Sequence, residues 1–229
     1  MLAATKRVLE LYDNDEFEVF IVVGKNGFGK TTYANKIIAE VYSNDGLHKN
    51  WNTDLFKDHM GYHPDRVLTK WEKKRKRDYV FHWDDAGVWL NALDHTDPFV
   101  KSVGKYLQTA RDDWGCIIFS CIDKNDIVSK IRNFKSTIII DITKHGAEPN
   151  SPYPSKRNNR KATAWHYWED RFNKKGTEND WEESFNCHVP DEFYTWYKPL
   201  RSQYTRLAKR NMIQKLRKKR GIMALKSSM

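Results

Sequence analysis

Residues 24–32 read Gly24-Lys25-Asn26-Gly27-Phe28-Gly29-Lys30-Thr31-Thr32, which matches the pattern G-x-x-x-x-G-K-[ST]. The apolar run over residues 17–23 predicts a buried strand before this stretch. Apolar residues at spacings of three and four predict a helix from Lys30 to Tyr42 after it. A strand, a glycine-rich loop and a helix form the context in which this pattern binds phosphate. We therefore predict a phosphate-binding loop over residues 24–32.

The residue types in this loop suit a nucleoside triphosphate. Glycines adopt positive φ and let backbone N–H groups approach a phosphate, and the start of a helix adds a favourable dipole. Lys30 is expected to reach the β- and γ-phosphates, and the Thr31 hydroxyl is expected to bind Mg²⁺. ATP and Mg²⁺ are thus the predicted ligands. The structural alternative is a chance glycine-rich turn.

A second candidate motif follows the predicted strand over residues 79–83. Asp84 and Asp85 come directly after it. Beside a phosphate-binding loop, Asp84 is expected to hold Mg²⁺ through water, and Asp85 to orient or deprotonate the attacking water. The alternative is a pair of acidic residues that cap a turn. Ser120 ends the next predicted strand, where it either senses the γ-phosphate and positions water or only satisfies backbone groups.

Alternating strands and helices predict an α/β fold with a mostly parallel sheet covered by helices on both faces. A further strand is predicted at residues 136–142, and no strand is evident between residues 42 and 79. The predicted helices span residues 2–12, 51–60, a segment after His63-Pro64, 98–112 and 125–133. We divide the chain into a core at residues 1–145 with a helical arm at 1–15, a loop and β-hairpin appendage at 146–190, and a basic helical tail at 191–229.

Aromatic and basic residues alternate in the predicted hairpin, whose strands fall at residues 162–168 and 181–189. Trp165, Tyr167, Trp168, Phe172 and Trp181 suit either base stacking or packing at the edge of the domain. The tail carries eleven lysines and arginines against two acidic residues, and Pro199 is expected to break or kink its helix. Beyond Lys209 the tail is expected to be solvated when free and to become ordered on nucleic acid. The candidate nucleic-acid contacts are Arg171, Lys174, Lys175, Arg210, Lys215, Arg217, Lys218, Lys219 and Arg220.

Composition narrows the protein class. The net charge is +10 and most of it lies in the tail, which favours a polyanionic partner such as duplex DNA. Three cysteines give no disulfide framework, and the apolar runs are too short to cross a membrane. We expect a cytoplasmic protein that is not secreted. The basic run at residues 73–77 is either a solvated helix end or a nucleic-acid contact.

Three segments together resemble the P-loop ATPases of archaeal spindle-shaped viruses and related plasmids, described as DnaA-like AAA+ proteins. The matching segments are residues 24–34, then Asp84-Asp85-Ala86-Gly87-Val88-Trp89-Leu90, and then Asn125-Asp126-Ile127 leading to Arg132. The resemblance covers residues 16–145. It implies that Lys30 and Thr31 bind phosphate and Mg²⁺, that Asp84 and Asp85 form the second motif, that Ser120 is the sensor, and that Arg132 or Arg111 is the arginine finger of a neighbouring subunit. AAA+ proteins usually carry Asp-Glu where this chain has Asp84-Asp85.

The predicted function is ATP binding and hydrolysis by a viral or plasmid protein that acts on DNA, in replication initiation or helicase loading. ATP is expected to assemble subunits into a ring or filament. One alternative is a DNA-translocating or genome-packaging ATPase of the FtsK/HerA type. Another is a nucleotide-gated module that binds nucleic acid or protein with little hydrolysis.

Overall fold

The computed structural model describes residues 1–43, 49–144, 158–169 and 174–227. In these ranges the chain forms seven helices and seven strands, together with four short 3₁₀ turns. The helices are α1 Ala3–Asp13, α2 Lys30–Val41, α3 Thr53–His59, α4 Pro64–Lys73, α5 Pro98–Tyr106, α6 Ser129–Arg132 and α7 Asp191–Ser227. The strands are β1 Glu18–Val23, β2 Met60–Gly61, β3 Asp78–Trp83, β4 Trp114–Ser120, β5 Thr137–Lys144, β6 Asn159–Glu169 and β7 Lys175–Asn186.

The seven strands form one sheet in the order β2-β3-β4-β1-β5-β6-β7. Strands β1 to β5 run parallel to one another, whereas β6 is antiparallel to β5 and β7 is antiparallel to β6. The predicted mixed α/β fold with a mostly parallel sheet is confirmed. Parallel strands end at the same edge of a sheet, and we call this the carboxyl edge. Strand β4 lies between β1 and β3, so the residues after all three strands meet there.

The central strands are buried on both faces because helices cover them. On one face, Ile21, Phe119 and Trp83 join a core that includes Val100 and Val103 of α5. On the other face, α1 packs against β4 and α2. Uninterrupted apolar strands of this kind are typical of a parallel sheet between two helical layers.

The structure corrects several sequence predictions. A strand does occur between residues 42 and 79: β2 pairs with β3 through Met60 and Gly61, and two residues are too short to give a strand pattern. The helix expected over residues 98–112 ends at Tyr106, and Ala110–Asp112 is a separate 3₁₀ turn. The helix expected over residues 125–133 is a 3₁₀ turn and the one-turn helix α6. Between these two, the Val128 N–H donates to the Leu90 carbonyl at 2.9 Å, which draws the backbone out of the helix.

The hairpin strands continue the main sheet. Strand β6 pairs with β5 from Ile138 opposite His166 to Lys144 opposite Arg160, and β7 pairs with β6. Both strands are longer than predicted. Because β6 runs antiparallel to β5, Arg160 lies at the carboxyl edge and the far end of β6, at Glu169, lies at the opposite edge. The sequence also predicts a loop from Lys144 to Arg160; residues 145–157 of it fall outside the described residues, whereas Lys144 ends β5 and Asn159 and Arg160 begin β6.

Residues 189–229 form a compact unit of their own, separate from residues 1–188. Pro199 does not divide it, since α7 runs as a single helix from Asp191 to Ser227. A proline removes one backbone donor, and the remaining residues here are mostly good helix formers such as Leu, Lys, Arg and Ala. The segment from Arg210 to Ser227, after Lys209, belongs to this helix. No helix among the described residues is long and apolar enough to cross a membrane.

Two residues of the basic run at 73–77 have structural roles. Arg77 donates hydrogen bonds to the carbonyls of Tyr12 at 2.7 Å and Leu11 at 3.1 Å, which ties β3 to the end of α1. Lys74 forms an ion pair with Asp78. Burial alone would raise the pKa of Asp78, but hydrogen bonds from His59, Lys74 and Tyr42 hold that pKa far below its usual value.

Candidate functional site

The glycine-rich loop, residues 24–29, connects β1 to α2 at the carboxyl edge, as predicted. Gly24 has a φ of +145° and Gly29 a φ of +97°, both in the region that favours glycine. A Cβ atom on Gly24 would lie 2.6 Å from the Ile142 carbonyl oxygen of β5. The loop therefore needs glycine both for its backbone angles and for its close contact with the neighbouring strand.

Lys30 folds back over this loop from the first turn of α2. Its Nζ donates to the carbonyl oxygens of Gly24 at 2.7 Å and of Lys25 at 3.3 Å. The Lys30 residue is only 7% exposed, so its charge is held close to the loop backbone. Lys25, Asn26 and Gly27 are exposed at the outer side of the loop. Phe28 and Thr32 are half-buried, and the Lys144 ammonium lies 5.3 Å from the Phe28 ring centre.

One oxygen of Asp84 joins the two candidate motifs. The Thr31 hydroxyl donates to Asp84 Oδ1 at 2.8 Å, and the Ser120 hydroxyl donates to the same oxygen at 2.5 Å. Asp84 is fully buried. The sheet order explains this convergence, because Thr31 follows β1, Ser120 ends β4 and Asp84 follows β3. The structure thus brings together three residues that the sequence predicted as parts of one site.

Asp85 and Ser120 are joined through the backbone. The Asp85 N–H donates to Ser120 Oγ at 3.0 Å. Asp85 has a φ of +52°, which is uncommon for a residue with a side chain. Its side chain is half-buried, whereas that of Asp84 is enclosed. The two neighbouring carboxylates therefore differ in access to solvent. Ser120 accepts a hydrogen bond from the Asp85 N–H and donates one to the Asp84 carboxylate.

His82 and Asn35 extend this cluster and were not predicted from the sequence. His82 Nδ1 lies 2.9 Å from Asn35 Oδ1 of α2, and His82 Nε2 lies 3.3 Å from Ser120 Oγ. Burial lowers the pKa of His82 to about 4, although the Asp84 carboxylate raises it. The histidine is therefore neutral at pH 7 and links α2 to the ends of β3 and β4. The only sequence signal was a polar residue within the apolar strand β3.

The hairpin also contacts the glycine-rich loop, which the sequence did not indicate. Arg160 of β6 is only 8% exposed, and its Nε donates to the Phe28 carbonyl at 3.0 Å. Cys187, just beyond β7, lies so close to Gly29 that a Cβ on this glycine would be 2.2 Å from the Cys187 sulfur. The loop is thus enclosed from the side of the hairpin by residues more than 130 positions away.

The two candidate arginine fingers lie apart from this cluster. Arg111 precedes β4 at the edge opposite the loop, and its guanidinium is 4.0 Å from the Asp15 carboxylate. Arg132 ends α6 and donates to Asn125 Oδ1 at 2.8 Å. In the described structure, neither arginine is hydrogen-bonded to the loop or to the two aspartates of its own subunit.

The candidate nucleic-acid residues fall in two regions. Lys174 is exposed beside the far end of the hairpin, at the edge opposite the loop, and Arg210 and Arg217 are exposed on α7. Arg171 lies outside the described residues. For the remaining candidates, the structure describes the backbone only: Lys175, Lys215, Lys218, Lys219 and Arg220.

The fold and the cluster define a mixed α/β protein with converging polar groups at the carboxyl edge of its sheet. No protein-family model matches the chain. The chain is similar to the uncharacterized protein B-251 of Sulfolobus spindle-shape virus 1, with 30% identity over 148 residues. The alignment covers 63% of this chain and 58% of the viral protein, so the chain spans less than two thirds of that relative's length. This similarity supports a viral link.

Proposed function

We propose that this protein binds ATP with Mg²⁺ at the glycine-rich loop and hydrolyses it. The observation that carries the proposal is the bonding of Thr31 and Ser120 to one oxygen of Asp84. A chance glycine-rich turn gives no reason for the threonine after its lysine to meet a buried carboxylate from another strand. This convergence is expected if the three residues share the task of holding a metal–phosphate group.

The residues present fit such a ligand. Mg²⁺ is commonly bound by one or two protein ligands together with substrate phosphates and water, and Thr31 and Asp84 supply that set. Lys30 holds a positive charge against the loop, where it would bind the β- and γ-phosphates. Bound Mg²⁺–ATP supplies the phosphoanhydride bond and the positive charge that offsets the phosphates. Thr31 and Asp84 would hold the metal, and Lys30 with the loop N–H groups would hold the phosphates.

The chain's other residues would act on water. Asp85 is half-buried beside the enclosed Asp84, so it is the carboxylate that can orient or deprotonate a water molecule. Ser120 fixes the Asp85 backbone and the Asp84 carboxylate, which makes it a positioning residue. Aspartate is one methylene shorter than the glutamate usual in AAA+ proteins, and we therefore propose slow hydrolysis by the isolated subunit.

The sheet order supports a shared site for the loop and the two aspartates. Strand β4 lies between β1, which leads into the glycine-rich loop, and β3, which leads into Asp84 and Asp85. Its last residue, Ser120, is the predicted sensor, and this position puts that residue next to both aspartates.

We further propose that the protein acts on DNA, in replication initiation or helicase loading of a viral or plasmid element. The support is the basic helix α7 and the similarity to a spindle-shaped virus protein. Assembly into a ring or filament would let Arg132 or Arg111 serve as a finger for a neighbouring subunit. This role requires no contact with the loop of the same subunit.

The test measures ATP binding and ATP hydrolysis separately. Lys30→Ala should abolish binding, because the loop loses the buried ammonium that lies against the Gly24 and Lys25 carbonyls. Asp85→Asn should keep binding and lose most of the hydrolysis. Lys6→Ala, on the exposed side of α1, is the control and should match the wild type. Wild-type binding by Lys30→Ala would refute the proposed site, and wild-type hydrolysis by Asp85→Asn would refute the role of that carboxylate.

Oligomer formation is tested by measuring the rate per subunit across protein concentrations. If a neighbour supplies the finger, the rate per subunit should rise with concentration in the wild type. The arginine whose alanine variant, Arg132→Ala or Arg111→Ala, no longer shows this rise is the finger. A rate independent of concentration in all three proteins would contradict a finger supplied by a neighbour.

DNA contact by α7 is tested with Arg210→Gln and Arg217→Gln, which keep the length of the helix. Each should weaken binding to duplex DNA of any sequence. Each should also reduce the slope of the logarithm of the binding constant against the logarithm of the salt concentration by roughly one unit. Lys6→Gln serves as the control for a lost surface charge. An unchanged slope in both arginine variants would exclude α7 as the DNA contact.

A further inference from the structure

A groove of about 430 Å³ lies on one face of the hairpin, apart from the candidate nucleotide site. Its walls come from the segment between β4 and β5 on one side and from the hairpin strands on the other. The residues that matter for its chemistry are Lys124, Arg132, Asp141, Trp165 and Tyr167. All of them belong to the unit formed by residues 1–188.

Two exposed aromatic rings mark this groove. Trp165 is 36% exposed and Tyr167 is 48% exposed, and both lie on β6. Residues two apart on a strand point to the same face and are about 6.6 Å apart. The other described aromatic residues of the hairpin have packing roles: Trp181 lies against Phe20, and Trp168 covers Gly176. The structure thus separates two rings available to a ligand from those that stabilise the sheet.

Cations line the opposite wall. Arg132 donates to two neutral acceptors, Asn125 Oδ1 at 2.8 Å and the Lys124 carbonyl at 3.5 Å, so these contacts leave its charge unneutralised. Lys124 is exposed beside it. The groove also contains Asp141, a carboxylate acceptor of the kind that receives hydrogen bonds from amino groups of bases. Two positive charges, one acceptor and two aromatic rings therefore share one groove.

We propose that this groove binds single-stranded nucleic acid, with bases stacked on Trp165 and Tyr167 and phosphates near Lys124 and Arg132. Base faces are covered by their neighbours in a duplex, so only an unpaired strand offers them to a protein ring. The inference rests on the proposed action on DNA and specifies the form of nucleic acid. It does not depend on ATP hydrolysis.

The experiment is fluorescence anisotropy of labelled oligo(dT), and of a duplex of equal length, with the full chain. Trp165→Ala and Tyr167→Ala should each weaken single-strand binding about tenfold and leave duplex binding unchanged. The control is Leu68→Ala on α4, because Leu68 is 38% exposed, close to the 36% of Trp165, and does not line the groove. Tyr167→Phe keeps the ring and should bind as the wild type does, because stacking uses the ring and not the hydroxyl.

A second pair of variants tests the cationic wall. Arg132→Ala should weaken single-strand binding, whereas Lys130→Ala, on the same short helix but not part of the groove, should not. The loss in Tyr167→Ala should persist as salt is raised, because stacking is less sensitive to salt than phosphate contacts. Repeating the titration with oligo(U) distinguishes DNA from RNA, and binding of either supports the groove.

Several results would overturn the proposal. These are unchanged single-strand binding in Tyr167→Ala, an equal loss in Leu68→Ala, and an equal loss of duplex binding in Tyr167→Ala. A change of oligomeric state in Tyr167→Ala without a change in strand binding would instead identify the groove as a self-association surface. Lys30→Ala should still bind oligo(dT) without nucleotide, so failure of the nucleotide site and failure of the groove are told apart.

Discussion

The contact between Gly29 and Cys187 gives a sharp test of how the hairpin encloses the loop. Gly29→Ala has two costs. The first is backbone strain, since an alanine at φ +97° costs about 1–2 kcal/mol. The second is steric, because the new Cβ would lie 2.2 Å from the Cys187 sulfur, and overpacking of this kind costs about 1–3 kcal/mol. The free energy of unfolding should therefore fall by about 2–5 kcal/mol.

Two further variants separate these costs. Gly27 has a φ of +78° and no atom within 4 Å of its added Cβ, so Gly27→Ala should show the strain alone, about 1–2 kcal/mol. Cys187→Ala removes the sulfur. In the double variant with Gly29→Ala, the steric part of the lost free energy of unfolding should therefore be recovered. The two substitutions should thus be coupled by about 1–3 kcal/mol, with the double variant more stable than the sum predicts.

The assay is urea unfolding followed by circular dichroism for the wild type, the three single variants and the double variant. Comparable slopes against urea are needed before the free energies are compared. If Gly29→Ala costs no more than Gly27→Ala, and Cys187→Ala gives no rescue, then the end of β7 does not pack against the glycine-rich loop.

Three further predictions concern stability. Ser120→Ala removes the hydrogen bonds that Ser120 Oγ makes with Asp84 Oδ1 and with the Asp85 N–H, and should cost about 1–3 kcal/mol in urea unfolding, against less than about 0.5 kcal/mol for the exposed Ser102→Ala. The lowered pKa of Asp78 stabilises the fold above the pKa of the unfolded carboxyl, so this stability should be lost as pH falls below about 4, and Asp78→Asn should flatten that dependence. Arg77→Ala removes hydrogen bonds from a charged donor to α1 and should lower the melting temperature, while the exposed Lys76→Ala should not.

The sequence predicted the local parts of this protein well. The apolar runs that became β1, β3, β4 and β5 are long enough to be recognised, and the glycine-rich pattern requires special backbone angles that only particular residues adopt. Helix α2 follows the loop as expected. The sequence failed to predict the short elements: β2 has two residues and α6 has four. Strand β2 depends on its pairing with β3, and the start of α6 depends on the bond from the Val128 N–H to the Leu90 carbonyl.

The sequence predicted the residues of the candidate site but not the contacts between them. Lys30 and Thr31 were found from the glycine-rich pattern, and Asp84, Asp85 and Ser120 were found from their positions at strand ends. Whether these ends are neighbours depends on strand order, which hydrophobic periodicity does not encode. The enclosed positions of His82 and Asn35 likewise follow from the packing of α2 on the sheet.

The sequence alone determined the elements and their chemistry, because strand and helix periodicity, loop glycines and the basic tail are properties of neighbouring residues. Only the tertiary structure decided which elements meet. In the folded chain, β4 lies between β1 and β3, and the hairpin continues the sheet. Arg160 and Cys187 contact the glycine-rich loop. Trp165 and Tyr167 line one groove together with Arg132. The reason is physical: contacts between residues more than 100 positions apart depend on strand pairing and burial, which are properties of the whole chain.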